Sequence, residues 1–187
     1  MLIYRFRVLF SEEEDFVRDI DISSNCTFLD LHQFFLETIK FDGKELASFF
    51  IADSQWNKNE EITLIDMQIG DEPAITMHDT NLSDYINEPH QRLLYEYDFL
   101  NIHTFFFELI DIIDSENHAR KNGYPSLVYS KGTVDYQDNS VDDLLMADLI
   151  SDYEKVTAPE FDIMENDDIS RMFEDLQSDE PNYGHEN

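Results

Sequence analysis

The sequence predicts an α+β domain: a mixed, largely antiparallel sheet with one main helix after an N-terminal β-hairpin, continued by a partly helical acidic C-terminal tail. Three observations carry this. Aromatic and branched residues alternate with polar ones in several separate segments, as half-buried strands require. A single long segment, opening at Thr27, joins a helix cap to helical apolar spacing. After residue 137 the composition turns acidic, with sixteen Asp or Glu against Lys155 and Arg171.

The elements follow in order. Leu2, Tyr4, Phe6, Val8 and Phe10 share one strand face, with Arg5 and Arg7 on the other. After the polar break Ser11-Glu12-Glu13-Glu14-Asp15, Phe16, Arg18, Ile20 and Ile22 alternate again, so the pair reads as a hairpin with a longer loop. Thr27 with Asp30 reads as a helix start, and Phe28, Leu31, Phe35 and Ile39 recur at helical spacing up to a stop at Gly43. Ala47 to Ala52 and Glu61 to Asp66 read as two strands, and Thr80 caps a short turn through Leu82, Tyr85 and Ile86. Leu93 to Phe99 and His103 to Ile113 are aromatic strands expected at the centre of the sheet. Tyr124-Pro125 opens an irregular segment that ends near Gln137.

These readings divide the chain into a domain of residues 1–137 and a tail of residues 138–187. Within the tail, Ser140 and Asp143 form a capping box ahead of Val141, Leu145, Leu149 and Tyr153, the stripe of a helix expected to dock on the sheet. Past Pro159, Ile169, Met172, Phe173 and Leu176 share the spacing of a helix-in-groove ligand and are the candidate partner-binding residues.

Composition limits the function classes. The chain has 187 residues with 42 acidic and 12 basic side chains, a formal charge of −30, yet 13% of it is aromatic. So much aromatic content means that part of the chain packs a core. The charge repels a phosphate backbone, which excludes direct nucleic-acid binding by the chain as a whole. The single cysteine, Cys26, excludes an internal disulfide and suits a reducing compartment. The N-terminus lacks a signal-peptide pattern, and Phe99 to Ile113 is too interrupted by polar residues to span a bilayer. A cytoplasmic protein without membrane attachment is therefore expected.

Three segments together resemble a known family. They are Phe16-Val17-Arg18-Asp19-Ile20-Asp21-Ile22 followed by Thr27-Phe28-Leu29-Asp30-Leu31-His32; Leu94-Tyr95-Glu96-Tyr97-Asp98-Phe99 running into Glu108-Leu109; and Tyr124-Pro125 followed by Lys131-Gly132. In order and spacing they resemble the Ri-plasmid ORF-three-like family, small proteins often labelled mobile-element passenger TnpR, over about residues 1–137. The resemblance implies an α+β domain with a mixed sheet, no established activity, and motif positions at His32, Tyr95, Tyr97, Asp98, Phe99, Tyr124, Pro125 and Gly132. The TnpR label suggests a resolvase, but this chain lacks the arginine cluster and basic module that a serine recombinase needs. It departs from the family pattern at Leu100-Asn101-Ile102-His103, where many members have Gly-Asp-Gly-Trp, and at Leu127 and Val134, where many have cysteines. A metal or redox role tied to those cysteines does not carry over.

The remaining candidates favour plain roles. The six histidines show no metal-ligand spacing, and His32, on the family-patterned helix, is the first choice for a role. Asp98 beside Asn101 and His103 could form an acid/base pair, or could cap the turn after its strand. Cys26 precedes a helix N-terminus but has no base partner in sequence. The window Asp135 to Met146 fails as an EF-hand, lacking its central Gly and final Glu. No cofactor or metal site is expected. The leading function is a non-enzymatic binding or adaptor domain in a mobile-element setting that meets a basic protein partner. The alternatives are a metal-dependent accessory hydrolase or nuclease-like enzyme using Asp98, and an acidic nucleic-acid mimic.

Overall fold

The computed structural model describes residues 1–66, 73–117 and 123–134, together with Arg171. The apolar spacings at Val141–Tyr153 and Ile169–Leu176 lie outside these, Arg171 apart.

Among the described residues the chain runs β1 (Leu2–Phe10), β2 (Glu13–Ser23), α1 (Phe28–Ile39), β3 (Ala47–Ala52), β4 (Lys58–Thr63), α2 (Leu82–Tyr85), β5 (Arg92–Tyr97), β6 (His103–Asp114), a 3₁₀ turn (Ser115–Asn117) and β7 (Ser126–Lys131). The strands form one sheet in the order β4-β3-β5-β6-β1-β2-β7, and every neighbouring pair is antiparallel. The expectation of an α+β domain with a mixed sheet, one main helix and a partly helical tail is therefore corrected: the protein is mainly β. Among the described residues the helical elements are short, α1 and the single turn of α2, while seven strands carry the architecture.

The correction has local causes. Ser126 to Lys131 is a strand where an irregular segment was expected. As an edge strand it pairs only through β2, and Leu127 is 40% exposed, so it lacks the strong alternation of a half-buried strand. Its far end is held by Arg18, whose guanidinium lies over the Phe16 ring and donates to the carbonyls of Lys131 and Gly132. Gly132 has φ +70°, and a Cβ there would come within 2.7 Å of the Asp15 carbonyl oxygen, so only glycine fits. The fourth strand sits at Lys58–Thr63 rather than Glu61–Asp66, because β3 pairs it through Phe50↔Glu61 and Ala52↔Lys58. The β1–β2 loop is shorter than expected, since Phe10 already pairs with Glu13, and the extra residues are absorbed in a register shift beside Leu9.

At α1 the Thr27 hydroxyl accepts from the Asp30 amide and the Asp30 carboxylate accepts from the Thr27 amide, a complete capping box. The helix stops at Lys40, in the left-handed region at φ 63°, three residues before the expected stop at Gly43. At α2 the cap position falls to Asn81, while the Thr80 hydroxyl donates back to the Thr76 carbonyl.

The two faces of the sheet differ. On the first, Tyr4, Phe6, Val8 and Phe10 of β1 join Phe49, Tyr95, Phe105 and Phe107 beneath α1, which buries Phe28, Leu31, His32, Phe35, Leu36 and Ile39. Phe35 stands at the centre, edge-on to Tyr95, Phe105 and Phe107 at centroid distances of 5.6, 4.9 and 5.0 Å. On the second face, Leu9, Val17, Leu94 and Phe106 pack with Trp56 from the β3–β4 turn. Beside them lies a set of buried ion pairs.

Candidate functional site

Two places concentrate polar groups inside the domain. The first is the ion-pair set on the second face. The hairpin register puts Arg5 opposite Asp21 and Arg7 opposite Asp19. Each guanidinium bonds its carboxylate through Nε and Nη2, at 2.7 and 2.9 Å for Arg5 and 2.9 Å twice for Arg7. Asp19 and Asp21 are fully buried. On the neighbouring strands Glu108 accepts from Arg92 Nε at 3.0 Å and lies 2.9 Å from His90 Nδ1, and Lys58 pairs with Glu96. Arginines that look scattered along the chain are thus gathered by strand order. The mirrored spacing of Arg5 and Arg7 against Asp19 and Asp21 about a short turn was the available signal.

The second place is an open groove of about 440 Å³ along α1, lined by Leu29, His32, Leu36, Phe41, Asp42 and Leu64 among others. At its floor His32 Nδ1 lies 2.8 Å from the Tyr95 hydroxyl. Burial pushes the His32 pKa down to about 4, and burial likewise raises that of Tyr95, so the pair is neutral at ordinary pH. At the rim the Tyr97 hydroxyl donates to Asp42 Oδ1 at 3.3 Å. Asp42 and Phe41 carried no sequence signal beyond their nearness to Gly43.

The family-motif positions do not converge on one site. His32 and Tyr95 meet at the groove, Tyr97 reaches Asp42 at its rim, and Asp98 is buried in the turn after β5. Phe99 is 38% exposed. Tyr124, Pro125 and Gly132 flank β7, four strand spacings from β5, or about 19 Å across the sheet.

The Asp98 carboxylate is taken up by its own turn. The Asp98 carboxylate accepts from the amides of Leu100 and Asn101 at 3.0 and 3.2 Å and from Asn101 Nδ2 at 3.1 Å, while His103 Nδ1 meets Glu12 Oε1 at 3.1 Å. Burial would push the Asp98 carboxyl up, but the Asn101 side chain and these amides together hold it below the usual carboxylate range. It is a turn cap, and Asp98 itself takes φ 59° to make that turn. The Cys26 thiol is pushed up by burial and by Asp30, away from reactive thiolate. Among the described residues no three His, Cys, Asp or Glu side chains are placed to hold a metal ion, and no helix is long and apolar enough to cross a membrane.

Comparison with known proteins agrees with this geometry. A family model, plasmid pRiA4b ORF-3-like protein, matches residues 2–141. The chain belongs to this family. Its description names no activity. The crystal structure of a protein of unknown function from Methanosarcina mazei Go1 matches with a TM-score of 0.59 at 20% identity, covering 82% of this chain and 84% of that one. That likeness shows a shared fold. No curated protein matches.

The His32–Tyr95 pair yields a pH prediction. His32 is neutral when folded, whereas an unfolded histidine binds a proton below about 6.5. The unfolded state therefore takes up more protons in the window between 6.5 and 4, and stability falls as pH falls through it. The loss attributable to His32 should reach about 3 kcal/mol between pH 7 and pH 4. Urea unfolding at several pH values should show a shallower slope for His32→Gln than for the unaltered protein. Equal slopes would mean that His32 is protonated in the folded state.

Proposed function

We propose that this chain is a non-enzymatic binding domain that serves as an adaptor for a basic protein partner. The observation that carries this is where the cations go. Arg5, Arg7 and Arg18 are buried within the domain, Arg92 is paired to Glu108, and Lys44, Lys58 and Lys131 each sit in an ion pair with Asp42, Glu96 and Asp15. Each pairing takes one carboxylate with its cation, so the formal charge of −30 is carried by the remaining acids. Such a surface steers a basic partner and repels nucleic acid. That Asp98 accepts from the amides of Leu100 and Asn101 in its own turn favours this reading over a hydrolase built on Asp98 and neighbouring carboxylates.

The division into a domain of residues 1–137 and a tail of residues 138–187 belongs to this reading, supported by a family match that ends at residue 141. In the tail, Ile169, Met172, Phe173 and Leu176 supply the apolar contacts that charge alone lacks. The plasmid in the family's description supports a mobile-element setting, and a lone cysteine suits the cytoplasm.

The test is affinity purification with mass spectrometry, followed by titration of the purified partner. The partner should be basic, and its affinity should fall about tenfold or more between low and physiological salt. Phe173→Ala with Leu176→Ala should weaken it again without lowering the Tm. A partner bound independently of salt and of both substitutions would defeat the proposal.

A further inference from the structure

Phe99, Leu100 and Ile102 are three of the seven large apolar side chains that stand exposed among the described residues, and they fall within four consecutive positions of the turn between β5 and β6. Leu100 is 86% exposed and Ile102 54%. Single exposed apolar residues are ordinary, but three together on one turn form a patch. The turn that carries them is held in one shape. Asp98 enters it at φ 59°, and its amide donates to the Leu46 carbonyl. Its carboxylate accepts from the Leu100 and Asn101 amides and from Asn101 Nδ2. Past the turn, the Ser11 amide donates to the Thr104 carbonyl. A patch fixed in this way loses little conformational freedom when a partner covers it.

We infer that this turn is a docking ridge for a basic amphipathic helix of a partner protein, the helix setting its apolar stripe on Leu100 and Ile102 and its cations against carboxylates on either side. The inference rests on the reading of a basic partner and gives that partner a place on the domain. Strand order sets the turn between two acidic segments: residues 40–46, which lead into β3, and residues 11–15, around the connection of β1 to β2. Together they carry Glu12, Glu13, Glu14, Asp15, Asp42 and Glu45 against Lys40 and Lys44. Even with Lys131 reaching Asp15 from β7, carboxylates outnumber cations there by six to three. From β3 to β1 is three strand spacings, about 14 Å, near the width of about 10–12 Å of a helix with its side chains. A helix laid along the turn therefore brings both of its flanks beside carboxylates. An apolar centre within a charged rim is the layout of an interface anchor. The same acids repel a second copy of the chain, whose formal charge is also −30, and an anionic lipid surface.

The probe is a synthetic helix of Leu and Lys with its Leu on one stripe, and the control is the same peptide with Ser in place of Leu. Titrated against the full chain at low salt, the Leu/Lys peptide should bind, and Leu100→Ser with Ile102→Ser should weaken it about tenfold or more. The control peptide should bind both proteins alike. Both substituted side chains are more than half exposed, so the Tm should be unchanged. Glu13→Gln with Glu14→Gln leaves the apolar residues in place; it should also weaken the Leu/Lys peptide and flatten the dependence of its affinity on salt. An affinity that falls with salt but ignores Leu100→Ser and Ile102→Ser would overturn the inference and leave the basic-partner reading standing. Uptake by phosphatidylcholine vesicles that these substitutions abolish would overturn it in favour of a lipid surface. A concentration-dependent dimer that they dissolve would overturn it in favour of a second copy. Failure of the Leu/Lys peptide to bind at low salt would overturn it as well, and the salt-dependent titration of a purified partner decides the basic-partner reading separately.

Discussion

Replacing Asp21 with alanine should cost about 3–5 kcal/mol of folding stability, because it takes from a buried guanidinium the carboxylate that balances its charge. Arg5 and Asp21 are both almost wholly inside the protein and share two hydrogen bonds, at 2.7 and 2.9 Å. The expense of desolvating Arg5 remains when its partner is gone. Converting the pair together, with Arg5→Met and Asp21→Leu, should recover most of the loss, since a well-packed apolar pair of similar volume often matches a buried ion pair. Lys131→Ala, which removes a pair whose side chains are 51% and 83% exposed, should leave the Tm nearly unchanged. For a chain of this size each kcal/mol moves the Tm by roughly 2–4 °C, so thermal unfolding of the three variants separates the cases. If Asp21→Ala melts with the Lys131 variant, the second face admits water and its burial does not govern stability. If the double variant is as unstable as the single one, the pair is needed for its hydrogen bonds and not merely to neutralise charge.

Period-two alternation in the chain located β1, β2, β3, β5 and β6 well, since each has at least one strongly apolar face that the solvent pattern exposes. Thr27 and Asp30 marked the start of α1 because a capping box is a local device, formed by residues three apart. What was illegible depends on partners distant in sequence. Ser126 to Lys131 becomes a strand by pairing with β2 more than a hundred residues earlier, and nothing in its own six residues requires that. The class was misjudged for the same reason: an edge strand leaves a weak pattern, so sheet was undercounted. At the candidate site the order is reversed. His32 was singled out by the family pattern, but its meaning comes from Tyr95, 63 positions away, whose hydroxyl it meets only because α1 lies across β5. Arg5 and Arg7 were seen to share a face, yet their burial depends on whatever covers that face, a property no strand carries in its own alternation.

Phe35→Ala should be as damaging as loss of the buried carboxylate, and its effect should reach the groove. Phe35 is fully buried, and its ring stands edge-on to three others contributed by β5 and β6. Truncation removes the transfer energy of the ring and leaves a cavity that neighbouring rings, themselves fixed on strands, cannot fill; large-to-small changes of this kind cost about 3–5 kcal/mol. Phe35→Leu keeps much of the volume and should cost distinctly less. The two variants should also differ at His32, three residues earlier on α1 and packed against the same Tyr95 ring. Burial is what holds the His32 pKa near 4. A cavity beside Tyr95 that admits water would relieve that penalty, so in Phe35→Ala the His32 pKa should rise toward its ordinary value, while in Phe35→Leu it should stay low. Nuclear magnetic resonance titration of the histidine ring reads this directly. A His32 pKa unmoved in Phe35→Ala, at the predicted loss of stability, would show that the cavity stays dry and that the groove floor is held by the Tyr95 hydroxyl independently of the aromatic cluster behind it.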